Sequence, residues 1–125
     1  MHQLPRFAHL PLLLGEDRTK LSKRHGAASV GEFREKGVLP EALVNHVAML
    51  GWHPGGGDTR EVFNLPQLCA EFRLDEVGRS DAVVLEHKRR WIEGKHLRAA
   101  VEVGGVGYQQ DEASAEVSKR IPASA

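Results

Sequence analysis

The apolar run Phe7-Ala8-His9-Leu10-Pro11-Leu12-Leu13-Leu14 limits the fold more than any other stretch of this chain. It is short, continuous and followed by the polar turn Gly15-Glu16-Asp17-Arg18, so a buried strand is predicted over 7–14. A strand cannot stand alone, because its backbone donors and acceptors need partners. Only one later segment, 80–85, reads as extended. With no element between Met1 and the strand to pair it, the expectation is that the strand ends a larger sheet which this chain hardly supplies.

Everything else with a clear pattern is helical. Ser29-Val30-Gly31-Glu32 fits a capping box, the serine oxygen accepting from a free helix amide and the glutamate reaching back. A short helix is predicted over 30–36, stopped by Gly37. Leu39-Pro40-Glu41 starts a second helix, since proline at the first position loses only an amide that has no partner there. Leu43, Val44, Val47 and Leu50 are expected to be its buried face and Gly51 its end, with 52–58 an exposed turn. Asn64 is the predicted N-cap of a third helix over 65–72, with Leu65, Leu68, Cys69 and Phe72 spaced for one buried face. A fourth is predicted over 86–92, ending near Gly94. Trp52 and Trp91 read as core anchors rather than base-stacking platforms.

Composition narrows the class. The 125 residues suit one ordinary domain, and a formal net charge of zero excludes a global basic field for nucleic-acid capture. The single cysteine, Cys69, excludes an internal disulfide and suggests a packing role. The seven histidines are scattered without His-x-x-x-His spacing, which argues against zinc. No segment has the length and apolarity of a membrane span, and Leu10-Pro11-Leu12-Leu13-Leu14 is too short for a secretory core. Gly55-Gly56-Gly57 and Gly104-Gly105-Val106-Gly107 lack the lysine and helix of a phosphate-binding loop. The acidic, alanine- and serine-containing stretch after Val101 is expected to be disordered.

The chemistry concentrates in Lys20-Leu21-Ser22-Lys23-Arg24, where three cations and a hydroxyl share five consecutive residues after the strand. Lysine ammonium groups are mobile point charges and arginine is a planar fork, so such a loop can clamp phosphates. In isolation a K-x-S-K-R run is more often a solvated basic turn, so its flanks must decide. His25 beside it reads as a local hydrogen-bond partner before a phosphate ligand.

Those flanks, from Pro5 to Gly26, resemble the end of the catalytic domain in bacterial-type and organellar glutamyl-tRNA synthetases, whose form of the class I signature loop is commonly K-L-S-K-R followed by a His-Gly pair. The resemblance continues through Ser29-Val30-Gly31-Glu32-Phe33-Arg34, Gly37-Val38-Leu39-Pro40-Glu41-Ala42-Leu43-Val44-Asn45, Leu50-Gly51-Trp52 and Trp91-Ile92-Glu93-Gly94-Lys95-His96-Leu97-Arg98, and is lost from about Val101. It implies a mainly α fold in three parts. Residues 1–26 would be the end of a Rossmann-like catalytic domain carrying the loop, 27–100 a helical stem-contact region, and 101–125 a tail foreign to the family.

The same resemblance implies a glutamate–tRNA ligase, which joins glutamate to ATP as an adenylate and then transfers the glutamyl group to tRNA(Glu). Lys20 and Lys23 would be catalytic, stabilising charge on the phosphates. Ser22 and Arg24 would assist at the ATP, and Leu10, Pro11 and Leu12 would line the adenine site. Arg34, Lys36, Lys88, Arg89 and Arg90 would approach tRNA phosphates. Mg2+ would accompany ATP, and the compartment would be the cytoplasm, or the mitochondrial matrix or chloroplast stroma. No His-Ile-Gly-His sequence occurs in 1–125, so half of the ATP site is missing and the chain alone is not expected to activate glutamate. A separate chain carrying that half is one possible partner. The alternative function is a non-catalytic tRNA- or partner-binding module. Leu21, where glutaminyl enzymes typically carry methionine, favours the glutamyl branch.

Overall fold

The computed structural model describes residues 3–26 and 29–104. Its one sheet among those residues is a parallel pair, β1 (Leu13–Leu14) and β2 (Ala82–Val83), with Leu13 opposite Ala82 and Leu14 opposite Val83. Leu12 extends the pairing: its N–H donates to Asp81 Oδ1 at 2.9 Å and its carbonyl accepts from Ala82 N–H at 3.1 Å. The strand expected over 7–14 is therefore paired only at its end. Segment 81–84 offers one short edge, and residues 3–10 remain exposed outside any strand, including Leu4, Phe7 and Leu10.

Four helices follow: α1 (Val30–Glu35), α2 (Pro40–Ala48), α3 (Leu65–Glu71) and α4 (Glu86–Gly104). The caps fall where the sequence places them. Ser29 Oγ accepts from Glu32 N–H at 3.2 Å while Glu32 Oε2 accepts from Ser29 N–H at 2.6 Å, and Asn64 and Gln67 make the equivalent exchange on α3. Gly51 ends the second helical segment at φ 91°, a conformation that a side chain would strain.

The buried faces differ from expectation. On α2 the buried residues are Ala42, Asn45 and His46, while Val44 and Val47 are exposed. On α3 only Leu68 is buried; Leu65, Cys69 and Phe72 are exposed, so Cys69 is not a packing residue. The fourth helix does not stop near Gly94 but runs to Gly104, and its buried anchor is Ile92, not Trp91, which is 44% exposed.

The cause lies in the α2–α4 interface. Arg89, Ile92 and His96 fall on one face of α4 at spacings of three and four, and this face packs on α2. Ile92 sits with Leu39 and Ala42. Asn45, completely buried, faces the polar remainder: its Nδ2 donates to the Glu61 carbonyl at 3.0 Å, and its Oδ1 accepts from Phe63 N–H at 2.8 Å and from His96 Nε2 at 2.9 Å. Because an amide oxygen only accepts, His96 carries its proton on Nε2. A helix whose partner face is polar buries polar residues, provided each is satisfied.

A second cluster joins Trp52, Phe63 and Leu68, with Ala48, Met49 and Val77 at its edge. The Trp52 ring stands edge-on to Phe63 at 5.7 Å, and its Nε1 donates to Glu76 Oε2 at 3.3 Å. The 52–58 turn is thus exposed at Gly55–Gly57 but begins in the core. Of the stretch from 101 expected to be disordered, residues 101–104 belong to α4, and 105 onward lies outside the described residues.

Two outcomes test this interface. Asn45→Ala leaves the Phe63 amide and the Glu61 carbonyl without partners and should cost about 2–4 kcal/mol in urea unfolding, and Ile92→Ala should cost ~3 kcal/mol, both more than Trp91→Ala. Burial, the largest cause in each case, holds His46 and His96 below the ordinary imidazole value, so the folded protein favours their neutral forms. The unfolded chain takes up these protons first, so their contribution is complete above about pH 6.5 and is lost as pH falls below it. Tm should be lower at about pH 5 than at about pH 7.5, with a smaller drop in His96→Gln.

Candidate functional site

Backbone hydrogen bonds turn the chain sharply after β1. Gly15 N–H donates to the Thr19 carbonyl at 2.8 Å, Arg18 N–H to the Gly15 carbonyl at 2.9 Å, and Leu21 N–H to the Leu13 carbonyl at 2.8 Å, with Leu14 and Lys20 in an antiparallel bridge. Arg18 closes the turn at φ 62°, a left-handed conformation uncommon outside glycine. Lys20 is thereby fixed beside β1. Lys23–His25 then form a single 3-10 turn ended by Gly26 at φ 76°.

The side chains of Asp17, Thr19, Ser22, Arg24 and His25 are bonded to one another. Asp17 Oδ1 accepts from Thr19 N–H at 3.1 Å, from Thr19 Oγ1 at 2.8 Å and from His25 Nε2 at 2.8 Å. These bonds, Thr19's first and His25's after, hold the Asp17 carboxyl down at about 2. On the other side of the imidazole, Nδ1 lies 3.1 Å from Ser22 N and 3.0 Å from Ser22 Oγ. Arg24 Nη2 donates to Thr19 Oγ1 at 2.9 Å and lies 3.7 Å from Asp17 Oδ2, which folds its guanidinium back over the turn.

Lys20 and Lys23 are outside this network. Both are exposed, and among the described residues neither ammonium group has an ion-pair or hydrogen-bond partner. Within the run 20–24 the geometry thus separates one cation that is internally neutralised, Arg24, from two that are available to an anion, Lys20 and Lys23; Arg18, in the turn before it, is likewise exposed and without a partner among the described residues. Leu10 and Leu12 are exposed and Pro11 half-buried, but Leu12's amide and carbonyl are already taken by Asp81 and Ala82. Leu10 and Pro11 line a cavity of about 540 Å³ with Leu74, Asp75 and Arg79.

The cations expected to meet tRNA divide in the same way. Arg34 and Lys36 are exposed on and just after α1. Lys88, Arg89 and Arg90 are successive helical residues about 100° apart, so they cannot share a face. Lys88 pairs with Glu61. Arg89 is buried, with Nε and Nη2 on Glu86 at 3.0 and 2.7 Å, Nη1 on Glu93 at 2.8 Å, and its guanidinium 5.2 Å from the Phe33 ring centre. Arg89 is therefore a clamp between α4 and α1, not an open phosphate contact. Arg90 points outward with one bond to Glu86.

Sequence reading did not pick out Gly15, Asp17 or Thr19 as parts of the site. Gly15 is needed by a close approach: a Cβ there would lie 2.2 Å from His25 Cδ2. The Asp-x-Thr spacing, typical of a side chain accepting from the amide two residues on, was the available signal.

The family model for tRNA synthetases class I (E and Q), catalytic domain, matches residues 1–91. A glutamate–tRNA ligase of Carboxydothermus hydrogenoformans is 52% identical over 96 residues, covering 77% of this chain and 20% of that protein. One from Desulforamulus reducens is 44% identical over 124 residues, covering 91% and 25%. In structure, the chain superposes on the crystal structure of glutamate-tRNA synthetase from Elizabethkingia anophelis with a TM-score of 0.65 at 29% identity, covering 87% of this chain and 28% of that one. The chain spans about a fifth to a quarter of the length of these curated relatives. With the loop's geometry, these matches identify the chain as a member of the class I glutamyl and glutaminyl tRNA synthetase family.

Proposed function

We propose that this chain supplies the phosphate-clamping loop and the adjoining stem-contact region of a glutamate–tRNA ligase. The observation that carries this reading is the pair of ammonium groups, Lys20 and Lys23, that have no partner among the described residues, on a loop whose Asp17, Thr19, Ser22, Arg24 and His25 side chains are bonded to one another. When the glutamate carboxylate attacks the α-phosphorus of ATP, negative charge grows on the phosphates and pyrophosphate departs. Two cations carried on a bonded loop backbone that gain more from that state than from bound ATP lower the barrier. Lys23, at the start of the 3-10 turn, takes the main role; Lys20 supports it, Ser22 orients the turn, and Arg24 holds the loop's shape. The glutamyl group then passes to tRNA(Glu), which Arg34, Lys36 and Arg90 would meet through its phosphates.

Residues 1–26 fit the end of a Rossmann-like catalytic domain, since exposed Leu4, Phe7, Leu10 and Leu12 offer an apolar surface for the rest of such a domain. Residues 27–100 would form the stem-contact region. Mg2+ would enter with ATP: Asp17 is committed to Thr19 and His25, and no group of three His, Cys, Asp or Glu side chains suited to a metal occurs among the described residues. Among those residues no helix is long and apolar enough to cross a membrane.

The test is glutamate-dependent ATP–pyrophosphate exchange by this chain with the remainder of the catalytic domain, supplied in the same polypeptide or as a second one. Lys23→Ala should lower kcat on the order of 10²–10³-fold, Lys20→Ala less, with Tm unchanged. Unaltered exchange in Lys23→Ala would overturn the reading. A chain that binds tRNA yet never supports exchange would instead indicate the non-catalytic module.

A further inference from the structure

We infer that His25, seated against Gly15 and braced by Asp17, is the positioning residue of the loop, its Nε2 turned to Asp17 and its Nδ1 to Ser22. The inference rests on the phosphate-clamping reading and deepens it. His25 sits at the centre of the turn with its side chain only 12% exposed. Its two ring nitrogens face chemically opposite demands. Ser22 N–H, a backbone group, can only donate, so Nδ1 at 3.1 Å must accept. The Asp17 carboxylate can only accept, so Nε2 at 2.8 Å must donate. The arrangement calls for a proton on Nε2, toward Asp17, and a lone pair on Nδ1, toward the Ser22 amide, with Ser22 Oγ also 3.0 Å from Nδ1 and Thr19 Oγ1 3.1 Å from Nε2.

The consequence for chemistry is positional. Ser22 precedes the 3-10 turn and Lys23 begins it, and the amide of Ser22 is held by the imidazole. Asp17 is itself fixed by Thr19 amide and hydroxyl, so the chain of bonds Thr19–Asp17–His25–Ser22 runs from the hairpin to the residue next to Lys23. Gly15 lets the ring lie flat against the end of β1; an alanine Cβ would sit 2.6 Å from Nε2 and force the imidazole away. Gly15 does not adopt a positive φ, so alanine strains the imidazole seat and not the backbone. The ring thus sets the backbone from which Lys23 projects.

Two measurements test this. In long-range proton–nitrogen spectra of the chain, His25 should show a protonated Nε2 and an unprotonated Nδ1; a protonated Nδ1 or rapid tautomer averaging would overturn the assignment. In the exchange assay above, Gly15→Ala and His25→Ala should lower kcat on the order of 10²-fold at a temperature where both variants are folded. His25→Asn, whose amide oxygen can replace Nδ1 as acceptor for Ser22, should recover part of that loss. If Lys23→Ala cripples exchange while Gly15→Ala and His25→Ala run at the wild-type rate, the positioning role is wrong and the clamp reading stands. If Lys23→Ala has no effect, the clamp reading itself has failed.

Discussion

The described structure turns on the side chain of Asn45. One amide joins three segments that do not otherwise share backbone hydrogen bonds: α2 through its own helix, the extended chain at Glu61–Phe63, and α4 through His96. Its complete burial makes these bonds hard to replace, because an unpartnered amide in that position has no water to turn to. The apolar clusters lie on either side of it, Leu39, Ala42 and Ile92 in one and Trp52, Phe63 and Leu68 in the other. Neither is large, so the polar link between them specifies which helix faces meet. Hydrophobic burial alone would have been satisfied as well by Val44 and Val47, which stay exposed.

The loop after β1 uses the same device on the surface. Polar groups there are bonded to one another and hold the backbone, while Lys20 and Lys23 stay without partners among the described residues; in the run 88–90 of α4, Lys88 and Arg89 are held by Glu61, Glu86 and Glu93, and Arg90 faces outward with a single bond to Glu86. A zero net charge is therefore compatible with anion binding, because neutralisation is local and selective.

Local rules were legible in the sequence to the extent that they depend on neighbours along the chain. Ser29, Asn64 and Pro40 set helix starts because capping and the missing proline amide act within one turn. The extended segment near Ala82 and the turn after Leu14 were readable for the same reason. The buried faces of α2, α3 and α4 were not, because apolar periodicity assumes an apolar partner face and α4 presents Arg89 and His96. Asn45 looks like an ordinary helix-surface residue until residues 61, 63 and 96 are brought beside it. The signature loop was recognisable from its flanks, whereas its mechanics depend on Gly15 and Asp17, whose roles appear only when the hairpin closes on His25.

The connection between the two regions is narrow, and this sets how they can influence each other. The parallel pair β1–β2 is two residues long, and β2 leads through Val84 and Leu85 directly into α4, where the Leu85 carbonyl accepts from the Lys88 and Arg89 amides. Leu12 to Leu14 are thereby tied to the first turn of the helix that Asn45 anchors at His96. A shift of α4 along its axis would reach the loop through this strand pair, since the main contacts of α2 are with α4 and α3. The network Thr19–Asp17–His25–Ser22 lies wholly within the hairpin and the 3-10 turn that follows it, and contains no residue from α1 to α4. The helical module thus decides where the loop stands, and the hairpin decides how it is shaped, so the two can be perturbed separately.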